Sequence, residues 1–416
     1  SSCKYGWSCA DDSTCGSQPP VRRERKLGTI RSATKPFPDA EEIITHKAHR
    51  EMSGVTSEMN VKKAVVEDMF PETKRKLASE GASALWTNHV LSWMSGPHQE
   101  GCLPLQIPAK GTPSSPKGVV ILLHGFSSCP KDLEEWGNAI ASEGYEVLLP
   151  LLPGHGREFL TFEGEIFDDY SSLPRSTVGG LKNYTDFTDS INEIADAFMK
   201  DGFEVSIGGL SLGASLAHIA ASEGGPSYDS VLLASPFYGL ADTDEAAAFL
   251  SMTNQDVSSA FGDVATAETG WDSTTEFASA TGACEVERQQ GRAGYCKFTV
   301  DSVNAAIEVG NLAKERGLEG PRVQIVAAAN DPFASNDLTK EVAESAKAKY
   351  CAYDGSASGD GPANHALAST MSAPWERKWW LESFMAHSAK FVSEGDAFEE
   401  EDGVCESKVE PKTFLD

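Results

Sequence analysis

Ser211 is the residue whose setting most plainly permits chemistry. It lies in Gly208-Gly209-Leu210-Ser211-Leu212-Gly213, after the short apolar run Phe203 to Ile207 and ahead of Ala214, Ser215, Leu216, Ala217 and His218. The run has the make-up of a buried strand, and the residues that follow suit a helix. A serine on a sharp strand-to-helix turn carries its hydroxyl clear of the sheet, near the positive end of the helix. Gly209 and Gly213 stand two residues before and after it, where side chains would collide as strand and helix close up. Such a hydroxyl is a candidate nucleophile for an acyl carbonyl. Five residues are a short pattern that a plain Gly/Ser loop can share, so the reading depends on partners elsewhere.

A serine nucleophile needs a base to take its proton and a carboxylate to orient that base. Where the serine sits on this kind of turn, the chain order is serine, acid, histidine. Three histidines follow Ser211: His218, His365 and His387. His218 is on the helix after the turn, aimed away from the serine, and His387 is inside an amphipathic helical stretch. His365 falls in the loop Gly361-Pro362-Ala363-Asn364-His365-Ala366-Leu367, free to swing over a sheet edge, and is the candidate base. The candidate acid is Asp331, because the apolar strand Val323 to Ala329 runs straight into Asn330-Asp331-Pro332-Phe333. Ligands and catalysts of open α/β sheets gather at such strand ends. Asp337 is the reserve. A tetrahedral oxyanion needs two aligned N–H donors, and the backbones of Leu212 and Phe126 are the candidates. His124, just ahead of Phe126, reads as a structural hydrogen-bonding residue.

The elements that position these groups alternate. Gly118 to Leu123, Tyr145 to Leu149, Phe203 to Ile207, Ser230 to Ala234, Arg322 to Ala329 and Lys349 to Tyr353 read as strands. Pro130 to Ser142, Asp186 to Asp201 and Pro374 to Val392 read as helices. Alternation of this kind predicts a doubly wound α/β fold, a mostly parallel sheet with helices on both faces. Residues 108–236 and 321–393 form this core. Residues 237–320, rich in Ala, Thr, Ser and Asp with scattered aromatics, are too long for a connection and read as an inserted cap. Residues 38–107 read as an N-terminal helical extension, 1–37 as a cysteine-containing arm with a basic patch from Arg22 to Lys26, and 394–416 as a solvated acidic tail. His46 and His49 lack acidic or cysteine partners at ligand spacing, so no metal is expected there.

A formal charge of -27 excludes nucleic acid as the expected partner, since phosphates require Lys and Arg. No apolar run approaches the ~20 residues that span a bilayer. Nine cysteines without a Cys-x-x-Cys pair argue against a zinc ribbon or thioredoxin-like site. Together with the sequon at Asn183 and a first residue other than methionine, they point to a secreted or lumenal protein with some disulfides, at least one thiol being free or paired outside the chain. Cys284 and Cys296 flank a short loop in the cap. They are the first candidate pair, worth about 3 kcal/mol by loop-entropy reasoning.

The segments LLHGFSS, LPGHG, GGLSLGAS, AANDPF and NHAL resemble the α/β-hydrolase family, in particular its capped esterase and monoacylglycerol-lipase-like group. The resemblance runs from about Gly118 to Val392. It implies Ser211, Asp331 and His365 as triad, Phe126 and Leu212 as oxyanion hole, and no metal or organic cofactor. Phe126, Ser127, Phe237, Tyr238 and Phe333 are the candidate substrate contacts. The expected activity is a serine hydrolase acting on small-molecule or lipid-derived esters with apolar acyl groups. A thioesterase, acyltransferase or peptidase would use the same triad, and a catalytically silent ligand-binding protein would keep only the fold. The first hundred residues and the cap are not standard parts of that group, so chain-length preference does not carry over.

Overall fold

A computed structural model describes residues 80–93, 101–111, 115–126, 128–156, 159–160, 166–167, 180–222, 224–241, 276–278, 297–318, 322–329, 331–353, 365, 367–369 and 379–395. All belong to the compact unit Met59–Asp416. The arm at 1–37, His46 and His49, Ser127, Cys284, Cys296 and nearly all of the acidic tail lie outside the described residues.

The elements run α1 (Glu80–Trp93), β1 (Leu105–Ile107), β2 (Gly118–Leu123), a 3-10 turn (Pro130–Leu133), α2 (Glu134–Ser142), β3 (Glu146–Leu149), β4 (Phe159–Leu160) and β5 (Ile166–Phe167). They continue as α3 (Gly180–Lys200), β6 (Glu204–Leu210), α4 (Leu212–Ala220), β7 (Val231–Ala234), β8 (Glu276–Ala278), β9 (Lys297–Thr299) and α5 (Val300–Glu315). Last come β10 (Val323–Ala328), α6 (Asn336–Ala346), β11 (Lys349–Tyr353) and α7 (Trp379–Glu394). Seven strands form one sheet in the order β1-β3-β2-β6-β7-β10-β11. Every pairing in it is parallel except that of β1 with β3. β4 with β5 and β8 with β9 are separate antiparallel pairs.

β2 and β7 are apolar along their whole length because helices cover both faces of the sheet. All six residues of β2 are buried. Alternate strand residues serve opposite sides. Val119, Ile121, Leu123, Val205 and Ile207 pack with Trp86, Phe187, Ile191, Leu216 and Val309, from α1, α3, α4 and α5. Val120, Leu122, Val147 and Leu149 pack with Trp136 and Ile140 of α2 and Phe384 and Phe391 of α7. Among the described residues no helix is long and apolar enough to cross a membrane.

Two boundaries read from the sequence move. Leu105–Ile107 belongs to the sheet rather than to a helical extension, pairing with Leu149 to Val147 at the edge. It escapes detection because three residues are too few for periodicity to register. Residues 300–315 are not cap. Ala305, Ile307, Val309 and Ala313 of α5 are buried in the core against α3 and α4. A helix whose buried side is largely Ala305, Ala306, Gly310 and Ala313 carries little apolar contrast, yet small side chains are what allow it this close approach. A Cβ on Gly310 would lie 2.6 Å from the Phe237 carbonyl oxygen.

Candidate active site

The sheet order reverses between β2 and β6: the chain leaves β2 for β3 on one side, then returns to β6 on the other. Loops leaving neighbouring strands in opposite directions open a crevice at their carboxyl ends. The loop after β2 carries Phe126, and the turn after β6 carries Ser211.

Ser211 has φ 56 and ψ -120, a conformation that a side chain tolerates only when its surroundings enforce it. Its N–H donates to the Ala234 oxygen at 2.9 Å. Its own carbonyl accepts from Ser215 at 3.1 Å and Phe237 at 3.3 Å. The flanking glycines are required by contact distance. A Cβ on Gly209 would meet the Gly213 carbonyl at 2.5 Å, and one on Gly213 would meet the backbone oxygens of Leu123 and His124 at 2.1 and 2.4 Å. The start of α4 is thereby seated directly on the end of β2.

Asp331 follows β10, and His365 comes after β11. Three separate strand ends thus converge. His365 Nδ1 lies 2.7 Å from Asp331 Oδ2, and its Nε2 lies 2.7 Å from Ser211 Oγ. With Nδ1 donating to the carboxylate, Nε2 is left to accept from the serine hydroxyl. The second Asp331 oxygen accepts the amides of Phe333 and Ala334, each at 2.9 Å. The carboxylate is buried and acceptor-only, so the imidazole is held in one tautomer. The reserve acid, Asp337, is exposed in the first turn of α6 and takes no part.

The other histidines have different employment. His218 is buried, its Nε2 donating to the Arg316 oxygen at 3.0 Å and its Nδ1 facing the Tyr238 hydroxyl at 2.9 Å. His387 Nδ1 lies 3.2 Å from Ser383 Oγ on α7. His124 accepts the Leu152 amide on Nε2 at 3.1 Å and donates from Nδ1 to the Gly125 oxygen at 3.0 Å. Its ring meets His155 edge-on, with centroids 5.1 Å apart. Burial holds His124 well below the usual imidazole range, and the neighbouring His155 lowers it further. Burial likewise brings His155 down to about 4. Both rings are therefore neutral at pH 7 and brace the loop that carries Phe126. Sequence reading missed His155; its place in Leu152-Pro153-Gly154-His155-Gly156 was the available signal.

Among the expected substrate contacts, Phe333 is 40% exposed and its ring stands 5.8 Å from that of His365. Phe126 is half-buried beside His155. A Cβ on Gly125 would lie 3.5 Å from Ser211 Cβ, which puts the Gly125–Phe126 peptide next to the serine. Leu212 opens α4, where the helix itself offers its amide no acceptor. Phe237 is half-buried against the core. Tyr238 requires correction: it is fully buried and bonded to His218, so it is a core residue and not a substrate contact.

Asn183 is half-buried in α3. Cys102 and Cys129, both fully buried, form a disulfide that sequence reading did not single out. It ties the segment ahead of β1 to the loop three residues beyond Phe126. Cys351 is disulfide-bonded as well.

Comparison with known proteins agrees with this architecture. A 63-residue stretch is 36% identical to the thermostable monoacylglycerol lipase of Bacillus sp. (strain H-257), covering 15% of this chain and a quarter of that one. A soluble variant of the Saccharomyces cerevisiae monoglyceride lipase, solved with a substrate analogue, superposes with a TM-score of 0.51 at 11% identity, over 71% of this chain and 92% of that one. A Paleococcus ferrophilus monoacylglycerol lipase gives 0.46 at 12% identity, over 70% and 98%. The model of the family described as serine aminopeptidase, S33, matches residues 114–356, more than half of the chain. With its parallel sheet and strand-end serine turn, this chain belongs to the S33 family of α/β hydrolases.

Proposed function

We propose that this chain is a serine hydrolase that cleaves carboxylic esters with lipid-derived or otherwise apolar acyl groups through an acyl-enzyme. The observation that carries the reading is the hydrogen-bonded line from Asp331 through His365 to Ser211, 2.7 Å at each histidine link. Ser211 Oγ attacks the ester carbonyl while its proton passes to His365 Nε2. Asp331 stabilises the resulting imidazolium, and the amides of Phe126 and Leu212 receive the oxyanion. The alcohol leaves with the proton from His365. Water, deprotonated by the same nitrogen, then attacks the acyl-enzyme, releasing the acid and restoring Ser211. The scheme uses no metal or organic cofactor. Similarity to the Bacillus monoacylglycerol lipase supports an ester as substrate.

A fluorophosphonate probe should label Ser211, and Ser211→Ala should lower p-nitrophenyl ester turnover by about 10⁴-fold or more. Turnover retained in that variant sinks the proposal. The family's description as serine aminopeptidase favours a second reading, amide cleavage at a peptide N-terminus. Aminoacyl p-nitroanilides assayed beside the esters separate the two by their kcat/KM ratio. The buried, bonded Cys102 and Cys129 support a secreted or lumenal setting, because such bonds persist in oxidising compartments. Peptide mapping without reductant should recover the linked pair.

A further inference from the structure

The geometry points to Phe333 as the residue that recognises the alcohol half of the ester, selecting leaving groups with an aromatic or extended apolar face. This rests on the ester-hydrolase reading above. Phe333 is the exposed large hydrophobic side chain among the described residues. Its backbone is fixed, because its amide donates to Asp331 Oδ1 at 2.9 Å. Its ring stands at 69° to the His365 imidazole with centroids 5.8 Å apart. An exposed aromatic so placed gains by being covered with apolar surface.

The side of the site it serves follows from the proton's path. During acylation His365 Nε2 must deliver a proton to the leaving oxygen, which therefore comes within about 3 Å of that nitrogen. The first carbons of the alcohol then lie within reach of the Phe333 ring. The carbonyl oxygen points the other way, toward the amides of Phe126 and Leu212 at the ends of β2 and β6, while Phe333 stands beyond β10. Alcohol and oxyanion are thus separated along the sheet edge. The alcohol has departed before water attacks the acyl-enzyme, so Phe333 acts on acylation and not on deacylation. A ring that merely steadied His365 would affect both steps and all substrates alike.

The test compares the full chain with Phe333→Ala and Phe333→Leu on two ester series. In one, acetate is constant and the alcohol is methyl, hexyl or naphthylmethyl. In the other, p-nitrophenol is constant and the acyl chain grows from acetyl to dodecanoyl. Phe333→Ala should lower kcat/KM for the naphthylmethyl ester about tenfold more than for the methyl ester. Phe333→Leu should fall between, and the acyl series should keep its wild-type slope. In pre-steady-state traces the burst rate should drop more than the steady rate. Equal loss on every ester, loss that follows acyl length, or deacylation slowed as much as acylation would each overturn the assignment. If the unsubstituted chain turns over no ester and the fluorophosphonate leaves Ser211 unlabelled, the hydrolase reading falls and takes this inference with it. Labelled Ser211 with an unchanged alcohol preference defeats the inference alone.

Discussion

Asp331 is engaged through both of its oxygens, one on His365 and the other on two backbone amides. A carboxylate can accept on every side, whereas an amide of the same shape cannot. In Asp331→Asn the oxygen will turn to the amides of Phe333 and Ala334, presenting its NH₂ to His365. That selects the tautomer with the proton on Nε2, which can no longer accept from Ser211. Activity should fall about 10³- to 10⁴-fold while the melting temperature barely moves. Tyr238 makes the opposite case. Its hydroxyl serves His218 inside the core, so Tyr238→Phe leaves a buried ring nitrogen without its donor. Urea unfolding should register a loss of about 1–3 kcal/mol with KM unchanged. A KM effect without loss of stability would return Tyr238 to the substrate pocket.

The serine turn works because two elements approach to backbone contact. The first residues of α4 rest on the carboxyl end of β2, and the Gly213 position leaves no room for even a methyl group. The same contact brings the β2 loop, with Phe126, beside Ser211. That loop is secured further along by the Cys102–Cys129 bond and by neutral His124 and His155. The bond spans a sequence separation of 27, so loop-closure entropy assigns it about 3–4 kcal/mol. Cys102→Ala with Cys129→Ala should lower unfolding stability by that amount. It should also weaken binding of a boronic acid transition-state mimic more than binding of the ester, because the loop that presents the Phe126 amide loses its anchor.

Across the whole molecule, acid should be the weak direction. Burial lowers His89, His155 and His218 to about 4, and lowers His124 as well. The unfolded chain takes up those protons near 6.5, so this contribution is complete above pH 6.5 and is lost as pH falls toward 4. Glu146 runs the other way. Burial raises it to about 7 despite its hydrogen bond from Gln106, so its contribution is complete below about 4.5 and fades as pH rises to 7. Among the described residues, four lowered histidines outweigh one raised carboxyl. Urea midpoints should therefore change little between pH 7.5 and 6.5, then fall steeply by pH 4.5, a loss on the order of a few kcal/mol. A midpoint that rises on acidification would overturn this.

The amino-acid sequence alone determined the parts that depend on neighbours along the chain. β11 runs over the residues expected, because an apolar run bounded by turn residues is a local signal. The serine turn is legible because its glycines answer a clash between adjoining segments, and Asp331 because it ends its own strand. His365 is the candidate base by elimination and chain order. Tertiary structure decided what depends on distant segments. Cys102 and Cys129 are neighbouring cysteines in the sequence, but 27 residues of spacing name no pair; the fold brings their Cα atoms to 4.9 Å. Tyr238 became core because α4 and α5 close over it, and α5 joined the core because its small residues fit where larger ones would not. The reversal of strand order between β2 and β6 appears in no single segment, yet it is what sets Phe126 against Ser211.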